Sequence, residues 1–499
     1  MKLLKTLQSL AVAACVAGTF LPLSATAKDD VVIDLVNEPS SLDPHMQWNP
    51  DSYFVYRNIF DNLVTRDDEG KIAPQVATSW RQLSDSEIEF QLRTDIVFHN
   101  GAKLTADDVV YSVKRITDPK LGSPQLGQYD KIKNAVATGP ASVKLVTDGP
   151  YPALLAQLVK LSIVPASVVE AVGKDAFNVA PVGSGPYKFV EWRRGVSVAL
   201  ARNDAYWGMK GPFKTAVFRA VPDAATRLAN VQTGASQIVR ALDSDLSGQL
   251  ANSRNAKRVY TLTERLSYLR INPTKPPFNN AKLRQAAAYA IDKAGITEGI
   301  LGNLDKPLAQ MVTPAHLGWS DKIKGISFDL DKAKALLKEA GVPPKFDFLV
   351  GTFFDQRVAQ AIQQQLRTAG FDVNIVLVDT LSFLKQIQAG APNGPTLALV
   401  TSSCACQDAD GALYSLFRSG GSWSIIDNKE IDSLLDNARA GLDEKRRLAD
   451  YEKVGEFIAN DVPTVPLYQM VAIFGVAKQL NWRPTPNESF FLNRMSWSE

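Results

Sequence analysis

Histidine and cysteine are scarce in this chain, three of each in 499 residues. His45, His99 and His316 lie far apart, each near a proline or glycine, and read as isolated surface or turn histidines rather than a ligand set. Also missing are H-E-x-x-H, G-x-S-x-G, G-x-x-x-x-G-K-[ST] and a G-x-G-x-x-G after a strand. Metalloprotease, serine hydrolase and nucleotide-binding readings therefore have no constellation to stand on. Gly183-Ser184-Gly185 looks like a piece of a nucleophile elbow but lacks the outer spacing, and it reads as a turn. Charge of one sign is missing too, with 55 Lys and Arg against 52 Asp and Glu. The first 27 residues hold two of those bases, Lys2 and Lys5, and no acid, so the remainder balances at +1. With no basic block and no acidic tail, neither nucleic acid nor an anionic membrane is indicated as a partner.

What is present begins at the N-terminus. Met1-Lys2-Leu3-Leu4-Lys5 is a short basic segment, Leu10 to Leu23 is apolar and small, and Ala25-Thr26-Ala27 ends the stretch. That is the anatomy of a secretory signal peptide, expected over residues 1–27 and cleaved near Ala27, which points to the periplasm. The apolar part is interrupted by Pro22 and is short of the roughly 20 residues a membrane span needs. A competing reading takes Val12-Ala13-Ala14-Cys15 as a loose lipobox with Cys15 lipidated. It is opposed by the apolar residues that continue past Cys15 and by the good cleavage site downstream. No later segment is apolar enough to span a bilayer.

A mature chain of about 470 residues exceeds one hydrophobic core, so two or more domains are expected. Val31 to Val36 is a β-branched run ending at the turn signal Asn37-Glu38-Pro39, and Glu87 to Leu92 alternates as a half-buried strand. Thr105-Ala106-Asp107-Asp108 is a capping box that opens a helix with Val109, Val110, Val113 and Ile116 on its apolar face. The paired acids belong in that first turn, where the helix dipole favours them. Val196 to Leu200 reads as a strand; 280–292, 331–340 and 356–369 read as helices, the last closed by Gly370 and followed by the strand Val373 to Val378. This alternation over 280–400 predicts an α/β domain with a largely parallel sheet.

With Cys15 in the leader, only Cys404 and Cys406 remain, so disulfides are not the main support of the fold. Cys404-Ala405-Cys406 admits three readings: a short disulfide, two buried free thiols, or half of a tetrahedral zinc site.

Several blocks, in colinear order, resemble the peptide/nickel-binding family of ABC solute-binding proteins, family 5. They are Asn37 to Pro44, Asn58 to Val64, Ile72-Ala73-Pro74, Ser79-Trp80, and Phe98-His99-Asn100-Gly101 followed by Leu104 to Val109. Gly185-Pro186-Tyr187, Asn203 to Trp207, Pro222 to Arg227, and Pro277-Phe278 leading to Arg284-Gln285-Ala286 continue the likeness across nearly the whole mature chain. The resemblance implies an α/β, bilobal periplasmic-binding-protein fold (type II, cluster C-like) with an additional domain in the first lobe. Lobe I would comprise 28–64, 181–270 and 475–499, the additional domain 65–180, and lobe II 271–474. It implies capture of a di- or oligopeptide, or a peptide-like amino-acid derivative, by lobe closure. It further implies presentation to the separate permease and ATPase subunits of an importer, by a monomer without a cofactor or metal.

Residue by residue, the resemblance implies that Arg357 grips the ligand carboxylate, a task its planar guanidinium suits. The aspartate that pairs with a peptide's amine in such proteins falls at Ala405 here, a departure that leaves the amine unanchored unless Asp408 serves. Gln47, Trp48, Asn49 and Tyr53 follow the first strand, and Ser402, Ser403 and Cys406 belong to the cysteine loop; all are expected at the site. Trp423, like Trp48, is a candidate apolar wall. Alternative readings are an opine, glutathione-like or nickel-chelate binder of the same class, an exported hydrolase, and a chaperone or signalling receptor using the same cleft.

Overall fold

A computed structural model describes residues 29–46, 49–341, 345–404, 406–421 and 423–498. The expected signal peptide, Cys15, Gln47, Trp48 and Ala405 lie outside the described residues. In chain order the main strands are β1 (Asp30–Leu35), β2 (Ala77–Ser84), β3 (Glu87–Leu92), β4 (Ile132–Gly139), β5 (Ser142–Thr147), β6 (Tyr187–Arg193) and β7 (Ser197–Arg202). They continue as β8 (Thr215–Ala220), β9 (Ile238–Arg240), β10 (Ala256–Ile271), β11 (Lys345–Gly351), β12 (Asp372–Val378), β13 (Leu397–Ser402) and β14 (Thr464–Ala477).

Strands β2 to β5 form an antiparallel sheet in the order β2-β3-β5-β4. The others join in one long sheet, β12-β11-β13-β10-β14-β9-β1-β8-β7-β6, with Lys306–Pro307 beside β14. Strands β10 and β14 carry that sheet through its middle. They run antiparallel from Ala256 opposite Ala477 to Arg270 opposite Thr464, with a register shift between Leu262 and Leu266. At about 3.3 Å per residue, the 16 residues of β10 reach roughly 50 Å, more than one ordinary strand. Before the shift, β10 pairs with β14, which is flanked by β9; after it, Leu266 to Ile271 also pairs with β13. Residues 263–265 thus mark where the chain crosses from one half of the sheet to the other.

Each half has its own apolar core. Phe54, Phe60, Phe177, Phe213 and Phe218 fill the β1 half. In the β11 half, Phe278, Phe346, Phe348 and Phe371 pack under the helices Ala281–Ala290 and Gln356–Ala369. Phe90, Val109, Val113, Tyr129 and Leu145 bind the small sheet to the helix Ala106–Thr117. Each such buried side chain contributes on the order of 1.5–3 kcal/mol. Further clusters pack around Tyr268, Cys404, Cys406 and Tyr451, and around Leu228, Val239 and Leu250, so the apolar interior is divided among several cores, as a chain of this length requires.

Local signals set the element ends. Asp108 Oδ2 accepts from the Thr105 backbone N–H at 2.9 Å, so the capping box starts its helix as expected. Asp355 caps Gln356–Ala369, and Gly370, at φ 114°, ends it in the left-handed region. The parallel pairing expected over 280–400 holds for β11 with β12 and β13, while β13 meets β10 antiparallel. Gly183 and Gly185 press on the main chain: a Cβ on Gly183 would sit 2.0 Å from the Ile59 carbonyl oxygen. The turn reading of that segment stands, since close backbone approach is what it requires.

The histidines require a correction. All three lie in turns, but they are not at the surface: His45 and His316 are buried and His99 is partly so. His45 Nε2 lies 2.9 Å from the Ser162 carbonyl and His99 Nε2 lies 3.0 Å from that of Gly185. Burial pushes all three down to about 4, so they are neutral near pH 7. Turn chemistry was visible in the sequence; the elements packed over each turn come from far along the chain.

Candidate ligand-binding site

The crossing segment Thr263-Glu264-Arg265 is pinned by its own backbone. Thr263 Oγ donates to the Met470 carbonyl at 2.8 Å, Gln469 Nε2 donates to the Thr263 carbonyl at 2.7 Å, and Glu264 N donates to Pro486 O at 3.1 Å. The pairs this fixes bring the two sheet halves and the small-sheet region together. 

Arg265 Nε donates to Glu488 Oε1 at 2.5 Å, and Arg240 lies 3.8 Å from Glu488 Oε2 and 2.7 Å from Asp51 Oδ1. Ser403 Oγ donates to Glu264 Oε1 at 2.9 Å, joining the crossing strand to the cysteine loop. Arg66 donates to the Cys406 carbonyl from the opposite side. Half-buried Lys160 sits in the field of Glu264, Arg265 and Arg66. Beside this floor, Arg57 is 2% exposed, its guanidinium 5.5 Å from the Tyr53 ring and 5.0 Å from that of Phe491. Arg494 covers the same Phe491 ring and donates to the Arg66 carbonyl, so these groups are contiguous.

Five bases (Arg57, Arg66, Lys160, Arg240, Arg265) therefore face three acids (Asp51, Glu264, Glu488). Several of their buried polar atoms have no hydrogen-bond partner: Arg57 Nε and Nη1, Arg66 Nε, Arg240 Nε and Glu264 Oε2. Burial and the like charge of Glu488 push the Glu264 carboxyl up to about 7, against the pull of Arg265. Burial pushes Lys160 down, and Glu264 opposes that shift. Both shifts express the cost of holding charge away from water.

Of the residues read from the sequence, Tyr53, Ser403 and Cys406 meet at this floor. Ser402, half-buried, ends β13 opposite Leu266. Asn49 is used as a helix cap, accepting from Ser52 N at 2.9 Å. Cys404 and Cys406 are joined by a disulfide, and a Cβ on Gly411 would lie 2.3 and 2.6 Å from their sulfurs. Trp423, half-buried, packs on the core that contains both cysteines.

Asp408 and Arg357 are engaged elsewhere. The Asp408 carboxylate is buried, with Arg447 Nη2 at 3.0 and 3.1 Å from its two oxygens, so it is committed to a core ion pair. As an amine anchor it would first have to leave Arg447. Arg357 is about half exposed, with Asp355 at 2.7 Å and Asp245, from the short helix Ser244–Gly248, at 2.8 Å. Asp245 follows β9 and Arg357 follows β11, so this pair bridges the two halves of the sheet at its surface.

Sequence reasoning missed Arg57, Arg66, Lys160, Arg240, Glu264, Arg265 and Glu488. One signal was available: Thr263-Glu264-Arg265 interrupts the apolar run of a long strand between Leu262 and Leu266.

A family model described as "Bacterial extracellular solute-binding proteins, family 5 Middle" matches residues 71–423. The glutathione-binding protein GsiB of Shigella boydii is 27% identical over 474 residues, covering 91% of this chain and 92% of that protein. The periplasmic binding protein DppA from Helicobacter pylori, solved with the peptide STSA, superposes with a TM-score of 0.82 at 26% identity, over 94% of this chain and 98% of that one. AgaA from A. tumefaciens R10, solved with agropinic acid, gives 0.80 at 26% identity, over 94% and 99%. The bilobal periplasmic-binding-protein fold expected from the sequence is thus the fold of this chain. Among the described residues, no helix is long and apolar enough to cross a membrane.

Proposed function

This chain belongs to the bacterial extracellular solute-binding proteins of family 5, and from that premise we propose that it captures a small zwitterionic, peptide-like solute on the floor around Glu264, Arg265 and Lys160. Its class is the extracytoplasmic solute-binding component of an ABC importer. The observation that carries the ligand reading is the incompletely paired floor itself. A buried polar atom without a partner costs about 1–3 kcal/mol, and here unfilled donors and an unfilled acceptor sit together where three bodies meet. A solute with carboxylate and nitrogen groups on a short backbone completes both kinds at once. Relatives named for glutathione, a tetrapeptide and agropinic acid take amino-acid-derived solutes of that description.

On this reading lobe I (28–64, 181–270, 475–499) and lobe II (271–474) close over the solute, and the additional domain (65–180) contributes Arg66 and Lys160. Closure buries the solute and makes one surface from two, which permease and ATPase subunits then read. The leader is removed near Ala27, the mature protein acts as a monomer in the periplasm, and the solute leaves chemically unchanged. Equilibrium dialysis of residues 28–499 against labelled glutathione and dialanine tests this reading. Saturable binding, weakened at least about tenfold by Arg265→Met, with the solute recovered intact, supports it. Turnover of the solute, or binding indifferent to Arg265, contradicts it.

A further inference from the structure

Glu264 is unusual among the floor's acids. Asp51 and Glu488 each meet arginine, at 2.7 and 2.5 Å, but no guanidinium or ammonium lies in salt-bridge contact with Glu264 among the described residues. Among the described residues the side-chain group bonded to it is a neutral hydroxyl, Ser403 Oγ on Oε1, while Oε2 is buried with no hydrogen-bond partner. The residue is 2% exposed, so bulk water does not solvate that oxygen. The backbone around it is held by the Glu264 N–H bond to Pro486 and by the bonds that tie Thr263 to Met470 and Gln469.

The surroundings restrict what can fill the position. Lys160, Arg265 and Glu488 face Glu264, with Arg66 and Arg240 one step further, and Ser403 stands on the lobe II side. The carboxyl is therefore the acceptor at the junction of both lobes and the additional domain. Resting on the reading that the solute is peptide-like, we propose that Glu264 is the specificity residue that receives the solute's charged amine on Oε2, selecting free-amine over amine-blocked solutes. The ammonium supplies the missing donor and the opposite charge together, and a charged hydrogen bond of this type is the strong kind. Because burial and Glu488 hold the carboxyl partly protonated near pH 7, an arriving ammonium also displaces a proton from it.

The test pairs three solutes with their N-acetyl forms: dialanine, glutathione and the peptide STSA. Calorimetric titration of the mature wild-type protein at pH 6.5, in two buffers of different ionisation enthalpy, reads affinity and proton release together. Expected are a preference of at least about tenfold for the free-amine form and proton release with that form only. Glu264→Gln removes the preference, weakening the free-amine form at least about tenfold more than the N-acetyl form, and removes the proton release. Equal affinity for both forms in the wild type, or no difference in proton release, overturns the proposal without any variant. Equal weakening of both forms by Glu264→Gln also overturns it, since that is what a purely structural role gives. Silence of all six compounds removes the peptide-like reading and this inference together, whereas binding without amine preference removes the inference alone.

Discussion

The Arg357–Asp245 pair sets a quantitative test of how the solute's carboxylate is held. Arg357 can serve as the carboxylate grip only if its guanidinium turns from Asp245, 2.8 Å away across the two halves of the sheet. The side chains are 48% and 69% exposed, and an exposed pair of this kind contributes about 0.2–1 kcal/mol. Releasing it therefore costs the bound state at most about fivefold in affinity. Asp245→Asn should tighten binding of a carboxylate-bearing solute by roughly 1.5- to 5-fold. Arg357→Ala, by contrast, removes a charge-assisted contact and should weaken binding by roughly 10- to 100-fold. In the double variant the Asp245 effect should vanish, because nothing remains to be freed. Calorimetric titration of the four proteins at low and moderate salt measures all of this, and the Asp245 effect should shrink as salt rises. An Arg357→Ala affinity within twofold of wild type would refute the carboxylate role and leave the pair as a surface tie between lobes.

Three further outcomes concern stability. Asp408→Asn leaves Arg447 buried without its counter-charge, so the melting transition should fall by an amount corresponding to about 3–5 kcal/mol, and Arg447→Met in the same chain should recover much of it. Gly411→Ala drives a methyl against both sulfurs of the Cys404–Cys406 disulfide; a loss of about 1–3 kcal/mol in melting experiments is expected, larger than the loss from an alanine at the open position Gly248. The histidines make the protein acid-sensitive. Their folded pKa values, lowered to about 4 from 6.5, give stability that is present above pH 6.5 and lost as pH falls through 4. Each contributes roughly 3 kcal/mol over that window. Melting temperatures should drop steeply as pH falls from 7.5 to 4, and those of a His45→Gln variant should drop less.

The fold was legible where its causes are local. Thr105 with Asp108, and Asp355 with Gly370, announce helix ends by chemistry confined to a few residues, and the structure uses them as such. The β-branched run at residues 31–36 became an interior strand of the long sheet, between β9 and β8, because such side chains suit a strand covered on both faces. The candidate site was legible only in part. Ser403 and Cys406 stand on the loop that follows β13, where binding residues are expected, and Tyr53 on the short helix Pro50–Tyr56 after β1. Glu264 meets Ser403 across 139 residues of sequence and Arg265 meets Glu488 across 223, and no periodicity encodes such encounters. The Asp408–Arg447 pair was hidden for a related reason: as a sequence letter Asp408 is a free carboxylate, and only the fold supplies its partner.

Binding of a peptide-like solute is read out by a thermal-shift titration of residues 28–499. The compounds are dialanine, STSA, glutathione, agropinic acid and a nickel–histidine chelate. Binding to the folded state alone raises apparent stability as RT ln(1 + [L]/Kd), about 2.7 kcal/mol at 100 times Kd. At least one amino-acid-derived solute should raise the melting temperature in that logarithmic manner, and Arg265→Met should reduce the rise by half or more at the same concentration. A shift from the nickel chelate alone, or none from any compound, would contradict binding of a peptide-like solute.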